Sequence, residues 1–332
     1  MKYSIIKAAA AALTLAASTA GAWAEDLTKI RYGYLPIPLM PLFAAEAHGL
    51  FEKHGVDVEL IKFTSGPAEF QSLQAGSIDL AQGALAAFYM ASSRGLDAKW
   101  VYTFGDAGPI EGFVLAEGTN IESYADLKGK KISAPSGSIL HLYHVSQALD
   151  AGLEVSDIEF ISLPPPQAVP AVENGNVDAS WFWEPFITIS SEKGAKEMYR
   201  ARDVGLSDFF GIAASGKWLD DEANQAALAR MLNAMEEGVA MYEQDPAPTL
   251  AKVEEFTGIK QDLATRIIDG IDWASLAKQT EADSPFNMTT EGAGAHAQLQ
   301  WVQDRALAAE LMDKPGDLDN FLDSRAVSQA SK

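Results

Sequence analysis

From residue 29 to about residue 217, short β-type runs alternate with amphipathic helical stretches. This alternation narrows the fold more than any other feature of the chain. Strands are predicted at residues 29–34, 56–63, 78–81, 99–104, 112–116, 131–134, 158–163 and 179–182. Between them helices are predicted at 39–54, 66–74, 84–93, 138–151 and 167–174, with Gly55, Gly76 and Gly95 ending the first three. Such alternation indicates parallel sheets covered by helices. Past Lys217 the pattern turns helical, at 222–243, 247–257, 261–269 and 291–311, punctuated by Pro246, Pro285 and Pro315. The predicted class is α/β, with two lobes, each a mostly parallel sheet flanked by helices, and a C-terminal helical segment. A length of 332 residues accommodates two such lobes.

The first 24 residues stand outside this pattern. Lys2 and Lys7 form a basic start, an Ala-rich apolar stretch follows, and Ala22-Trp23-Ala24 supplies a small-x-small cleavage pattern. A signal peptide over 1–24 is expected, leaving Glu25 as the first mature residue. No later stretch approaches the ~18 consecutive apolar residues of a membrane span, so an exported, not membrane-embedded product is expected. The chain carries 25 Lys+Arg against 46 Asp+Glu, a formal net charge of −21. Such a surface repels phosphate backbones and argues against nucleic acid as a partner. The absence of Cys excludes disulfides, thiolate metal sites and Cys nucleophiles.

Catalytic signatures are scarce. H-E-x-x-H, G-x-S-x-G and P-loop motifs are absent from the sequence. His141 and His144 lie one helical turn apart without an obvious third ligand, which favours packing or ligand contact over metal binding. Gly292-x-Gly294-x-x-Ala297 matches a dinucleotide fingerprint by letter, but it follows a turn rather than a buried strand. Neither a catalytic residue, a metal nor a cofactor is expected, and the chain reads as a non-enzyme.

Open α/β sheets bind ligands at the carboxyl ends of their strands. Three such places here carry small, helix-starting residues: Thr64-Ser65-Gly66, Gly83-Ala84 and Ser136-Gly137-Ser138. Each can present backbone N–H groups at a helix start, and hydroxyls add to two of them, a combination suited to an anion. Ser65 and Ser138 can equally serve only as helix caps. In Trp181-Phe182-Trp183-Glu184-Pro185 strand alternation sends the two indoles to one face and Phe182 to the other; an indole at the strand end can wall a pocket. Asp208 sits beside Phe209 and Phe210 before a strand-like run. It can hold an ammonium or simply shape a turn.

Four stretches carry a resemblance: YLPIPLMPLFAAEAHGLFEKHG from Tyr34, LQAGSIDLAQG from Leu73, LKGKKISAPSGS from Leu127 and LPPPQAVPAVENGNVDASWFWEP from Leu163. Over nearly all of the mature chain the sequence resembles periplasmic solute-binding proteins of ABC importers. The likeness is to the branch for taurine, alkanesulfonates, nitrate and thiamine precursors, and within it to the taurine-binding type. The resemblance implies a class II two-lobed periplasmic-binding-protein fold. Residues 25–108 and 213–332 would form lobe 1 with the helical tail and residues 109–212 lobe 2, with crossings at 105–112 and 204–211. The expected ligand site is Tyr34, Ser65, Gly66, Gly83, Ala84, Glu111, Ser136, Ser138, His141, Trp181, Trp183, Glu184, Asp208 and Phe209, of which the resemblance implies Glu111, Ser138, His141 and Asp208. Amide and hydroxyl donors would hold a sulfonate and the carboxylates an ammonium. Ile139 and Leu140 stand where the taurine pattern has two Thr, and Leu142 where it has Tyr; this opens the site to a larger or less polar ligand. The implied function is the periplasmic capture of taurine or another aliphatic sulfonate by a monomer that delivers it to an ABC permease and its ATPase subunits. The alternatives are a binder of a pyrimidine, nitrate or other organic ligand, a sensor subunit, and a periplasmic enzyme on the same lobes.

Overall fold

A computed structural model of the chain describes residues 27–330. The expected signal peptide therefore lies outside the described residues. The chain opens with β1 (Thr28–Tyr34), α1 (Met40–Ala47), α2 (Leu50–Lys53), β2 (Val56–Lys62), α3 (Gly66–Gln74), β3 (Leu80–Ala84), α4 (Leu85–Ser93) and β4 (Lys99–Asp106). The helix predicted over 39–54 is two helices, because Gly49 adopts φ 63°, a left-handed conformation that breaks the first and starts the second.

The chain then crosses into the second lobe. There it forms β5 (Glu111–Leu115), β6 (Lys131–Ala134), α5 (Ile139–Asp150), β7 (Glu159–Ser162), α6 (Pro165–Glu173), β8 (Ala179–Trp183), α7 (Phe186–Glu192) and β9 (Lys196–Arg200). It returns to the first lobe as β10 (Phe209–Ala214), α8 (Gly216–Leu219), α9 (Glu222–Gln244), α10 (Ala247–Thr257), α11 (Gln261–Gly270) and β11 (Asp272–Trp273). It closes with α12 (Gly294–Ala308), α13 (Leu318–Phe321) and α14 (Arg325–Ala330). Among the described residues no helix is long and apolar enough to cross a membrane.

Two sheets result, in the orders β11-β4-β10-β3-β1-β2 and β7-β6-β8-β5-β9. Both are mixed rather than mostly parallel. β1 runs parallel to β2 and β3, and β6 parallel to β7 and β8. In contrast, β10 runs antiparallel to β3 and β4, and β5 antiparallel to β8 and β9. The cause is topological. β1 and β3 in one sheet and β6 and β8 in the other end at the interface between the lobes, whereas β5 and β10 each begin there after a crossing and must run away from it. The two lobes thus repeat one plan, with the entering strand fourth when the first sheet is counted from β2 and the second from β7. Because β10 pairs within the first sheet from Phe209 onward, the expected lobe boundary at 212/213 falls inside this strand, and the return crossing ends at Asp208.

Apolar clusters hold these layers. One packs Ile30, Tyr32 and Phe104 of the first sheet against Leu42 of α1 and Met231 and Met235 of α9. Another runs through both lobes, from Trp100 of β4 to Phe113, Leu140 and Trp181 of the second lobe, and includes Leu299 and Val302 of α12. The tail therefore straddles the lobes. Arg305 of α12 pairs with Asp150 of α5 at 2.7 Å, and Gln298 Nε2 donates to the Ser207 carbonyl of the return crossing at 2.9 Å.

Candidate functional site

The carboxyl ends of the strands from both sheets converge on one cleft between the lobes, with a cavity of about 820 Å³. Lobe 1 contributes the turn after β1 at Leu35–Ile37, the start of α3, the end of β3 and one side of α4. Lobe 2 contributes the Pro135–Ile139 turn, the Pro164–Pro166 run, Trp183 and Phe186. Ala107, Ile110, Glu111 and Asp208 of the two crossings form the floor.

The crossings are tied together by Asp106. Its Oδ1 accepts from the Gly108 amide at 2.8 Å and the Asp208 amide at 3.0 Å, and its Oδ2 accepts from the Ser207 hydroxyl at 2.7 Å. The Ala107 amide donates to the Asp208 carbonyl at 2.8 Å. Gly108 permits this approach, since a Cβ there would lie 2.9 Å from the Leu206 carbonyl oxygen. Two segments distant in sequence thereby place Glu111 and Asp208 side by side.

That pair dominates the chemistry of the floor. Glu111 and Asp208 are each 3% exposed, and Glu111 Oε2 and Asp208 Oδ1 have no hydrogen-bond partner. Burial, ahead of neighbouring acids, pushes the Glu111 carboxyl up to about 8 and raises Asp208 well above the usual range, with Glu111 as its second cause. The Tyr143 hydroxyl faces Glu111. Desolvation and mutual proximity both favour the protonated form of such a pair. A carboxyl that binds its proton more tightly folded than unfolded stabilises the folded state below its unfolded value, and this contribution is lost as pH rises through the folded value. We expect the melting temperature of the ligand-free protein to fall as pH rises from about 5 through about 8 on account of this pair. Asp208→Asn should flatten that fall in scanning fluorimetry, and an identical slope in both proteins would refute this origin.

Of the residues singled out from the sequence, Ser65, Gly66, Gly83, Ala84, Glu111, Ser136, Ser138, Trp183 and Asp208 line the cavity. Ser65 stands at the N-cap of α3 without making a capping bond, so its hydroxyl is not held by its own helix. Ser138 does cap α5: its Oγ accepts from the His141 amide at 3.3 Å and donates to the Pro135 carbonyl at 2.7 Å. Ser138→Ala should cost about 1 kcal/mol of stability in chemical denaturation. A loss near zero would show the cap to be dispensable.

The other named residues lie off the wall. The Tyr34 hydroxyl donates to the Phe256 carbonyl at 3.3 Å, and its ring meets Phe43 edge-on. Trp181 is wholly buried in lobe 2, and its Nε1 donates to the Tyr124 hydroxyl at 3.0 Å. His141 stacks on Phe160 at 4.2 Å; burial, with Arg94 nearby, lowers it to about 4 and keeps the ring neutral. Glu184 pairs with Arg200 at 2.9 Å and accepts from the Thr188 amide at 3.1 Å. Phe209 packs on Phe286, while Phe210 is the ring on the cavity wall.

Of the lining residues that went unnoticed in the sequence, three bear most on the chemistry of the cavity. Arg94, exposed at the end of α4, is the only basic residue among the described residues that line the cavity, and it donates to the Leu311 carbonyl of the tail. Gln82 takes the Leu35 amide on its side-chain oxygen at 3.1 Å. Glu69 of α3 is wholly buried. Among the described residues no cluster of three His, Cys, Asp or Glu side chains is arranged to hold a metal.

Comparison with known proteins adds to this geometry. The profile of a family described as NMT1/THI5 like matches residues 38–248. A Bacillus subtilis protein named for aliphatic sulfonates binding is 28% identical over 92% of this chain and 89% of its own length. The alkanesulfonate-binding protein SsuA from Xanthomonas axonopodis pv. citri, solved with MOPS bound, superposes with a TM-score of 0.73 at 21% identity, covering 90% of this chain and 98% of that one. The desulfurization enzyme DSZB shares the fold with a TM-score of 0.62 at 15% identity, covering 92% of this chain and 99% of that one.

Proposed function

The chain belongs to the NMT1/THI5-like family, and from that premise we propose that it is the periplasmic solute-binding subunit of an ABC importer. Its ligand is a small organic solute that joins an apolar body to an N–H-bearing group, an aminosulfonate being the simplest case. The observation that carries this reading is the adjoining carboxyl groups of Glu111 and Asp208, each with one orphaned oxygen, in the floor of a largely apolar cavity between two lobes. A protonated amine seated there would draw both groups into their charged form and satisfy the orphaned oxygens with charge-assisted hydrogen bonds. Those two groups sit on separate crossings, so the same contact would draw on the hinge that lets the lobes close. A bare inorganic anion is disfavoured, because it brings no donor for the orphaned carboxyl oxygens.

The accepting end of the solute is assigned to the first turn of α5. An α-helix leaves its first four amides without partners inside the helix. Here Ser138 takes one of them, and Arg94 stands near enough to lower His141. Apolar surface between these ends, from Phe70, Met90, Ile110, Trp183, Phe186 and Phe210, suits a body larger than the two methylenes of taurine. The relatives named for sulfonate binding and the SsuA fold support the solute class. Delivery to a permease with its ATPase subunits, and action as a monomer, complete the reading.

One observation favours a second reading. A buried carboxyl pair with one member near neutrality is also the equipment of acid–base catalysis, and DSZB shows that the fold hosts enzymes. A thermal-shift screen of the purified protein with sulfonates, aminosulfonates, amines, nitrate and pyrimidines tests the leading proposal. A solute at about 100 times its Kd adds about 2.7 kcal/mol to the folded state. We expect aminosulfonates or other amine-bearing organic solutes to give the largest rise, and nitrate none. A rise confined to nitrate or to amine-free sulfonates would contradict the role given to the floor.

A further inference from the structure

Glu69 is a buried acid on the cavity that no pattern in the sequence singles out. It lies in the first turn of α3, directly after the Ser65-Gly66 turn, and helps to line the cavity on the lobe-1 side. Its exposure is 0%, and among the described residues neither carboxyl oxygen has a hydrogen-bond partner. Among the described residues no basic side chain acts on it; the one favourable neighbour is the backbone of Gln82, and burial dominates, raising its pKa well above the usual carboxylate range. The group lies beside β1: a Cβ built at Gly33 would meet Ile78 Cδ1 at 2.7 Å, the Phe63 ring at 3.0 Å and Glu69 Oε1 at 3.3 Å. An uncompensated polar group in such a place lowers stability, so the fold carries a cost at this position that a Leu would avoid. Glu69 also removes the obvious use of the α3 start. A helix N-terminus attracts anions, but this one already faces a carboxyl group of its own first turn.

Resting on the solute-site reading above, we propose that Glu69 is a specificity-determining residue. Its carboxyl group reserves the lobe-1 end of the cleft for a ligand group bearing N–H donors, a protonated amine or the amino edge of a nitrogen heterocycle, and turns anionic groups toward lobe 2. The Ser65-Gly66 turn then serves beside a donor-bearing group, and the anion role passes to the α5 turn alone.

Two variants and three probes test this. Titrations of the purified protein with taurine, cytosine and propanesulfonate, followed by Trp fluorescence, give the selectivity between N–H-bearing and N–H-free ligands. Wild type is expected to prefer taurine or cytosine to propanesulfonate. Glu69→Gln, which keeps the shape and adds donors, should shift that preference toward propanesulfonate about tenfold or more, as for a hydrogen bond to a charged group. Glu69→Leu should lose the preferred probe while melting at a higher temperature than wild type in the absence of ligand. Unchanged selectivity in both variants overturns the assignment of Glu69 alone, as does a lower melting temperature for Glu69→Leu, which would mark a structural role. Failure of all three probes to bind wild type overturns the solute-site reading itself, and this proposal with it.

Discussion

Replacing Asp208 by Asn is expected to weaken binding of an amine-bearing solute by about 2–5 kcal/mol, the cost of truncating one partner of a desolvated charged pair. The substitution keeps the shape of the side chain. It leaves the Asp208 backbone bonds to Asp106 and Ala107 in place, so the crossing should keep its course. What changes is the floor: one of two adjoining carboxyl groups becomes an amide that cannot take a negative charge. Isothermal titration of wild type and variant with the best solute from the screen reads the difference. Near-wild-type affinity would remove the amine from the account and leave an apolar or anionic ligand.

Trp181→Ala should cost about 3–5 kcal/mol of stability, the usual range for emptying a buried Trp site. The indole is 0% exposed and packs between Phe113, Tyr143 and Tyr199. Its loss also leaves the Tyr124 hydroxyl, which contacts His144 Nδ1 at 2.8 Å, without its donor. Trp183→Ala should do the opposite: it lies on the cavity wall and is only partly buried, so solute affinity should fall with little change in stability. Urea denaturation and titration of both variants separate the two indoles. Equal effects on stability would contradict their placement.

How far the sequence was legible can be judged from such neighbours. The alternation of strand and helix identified most elements, and α3, α10 and β6 begin and end where the pattern predicts. The direction of β5 and β10 was not legible, because it follows from crossing between lobes and leaves no mark in local periodicity. β9 was missed for another reason: Lys196–Arg200 is a short, charged edge strand of the second sheet, and its composition reads as solvated surface. At the site, small residues after strands pointed to the right turns. Phe209 was chosen where Phe210 lines the cavity, a slip of one residue, which in a strand exchanges faces; the irregular pairing beside Phe210 hides the register. Glu69 and Arg94 escaped notice because each obeys an ordinary rule of helix charge, an acid in the first turn and a base at the end. Only the fold shows that both lie on one cavity.

Native mass spectrometry of the purified protein, mixed with the solute that gives the largest thermal shift, tests the central claim most directly. The account predicts a single one-to-one adduct at the unaltered mass of the solute, much diminished in Asp208→Asn. A bound or released species of altered mass would show turnover and make the chain an enzyme. No adduct at all would contradict a solute-binding role for the cleft.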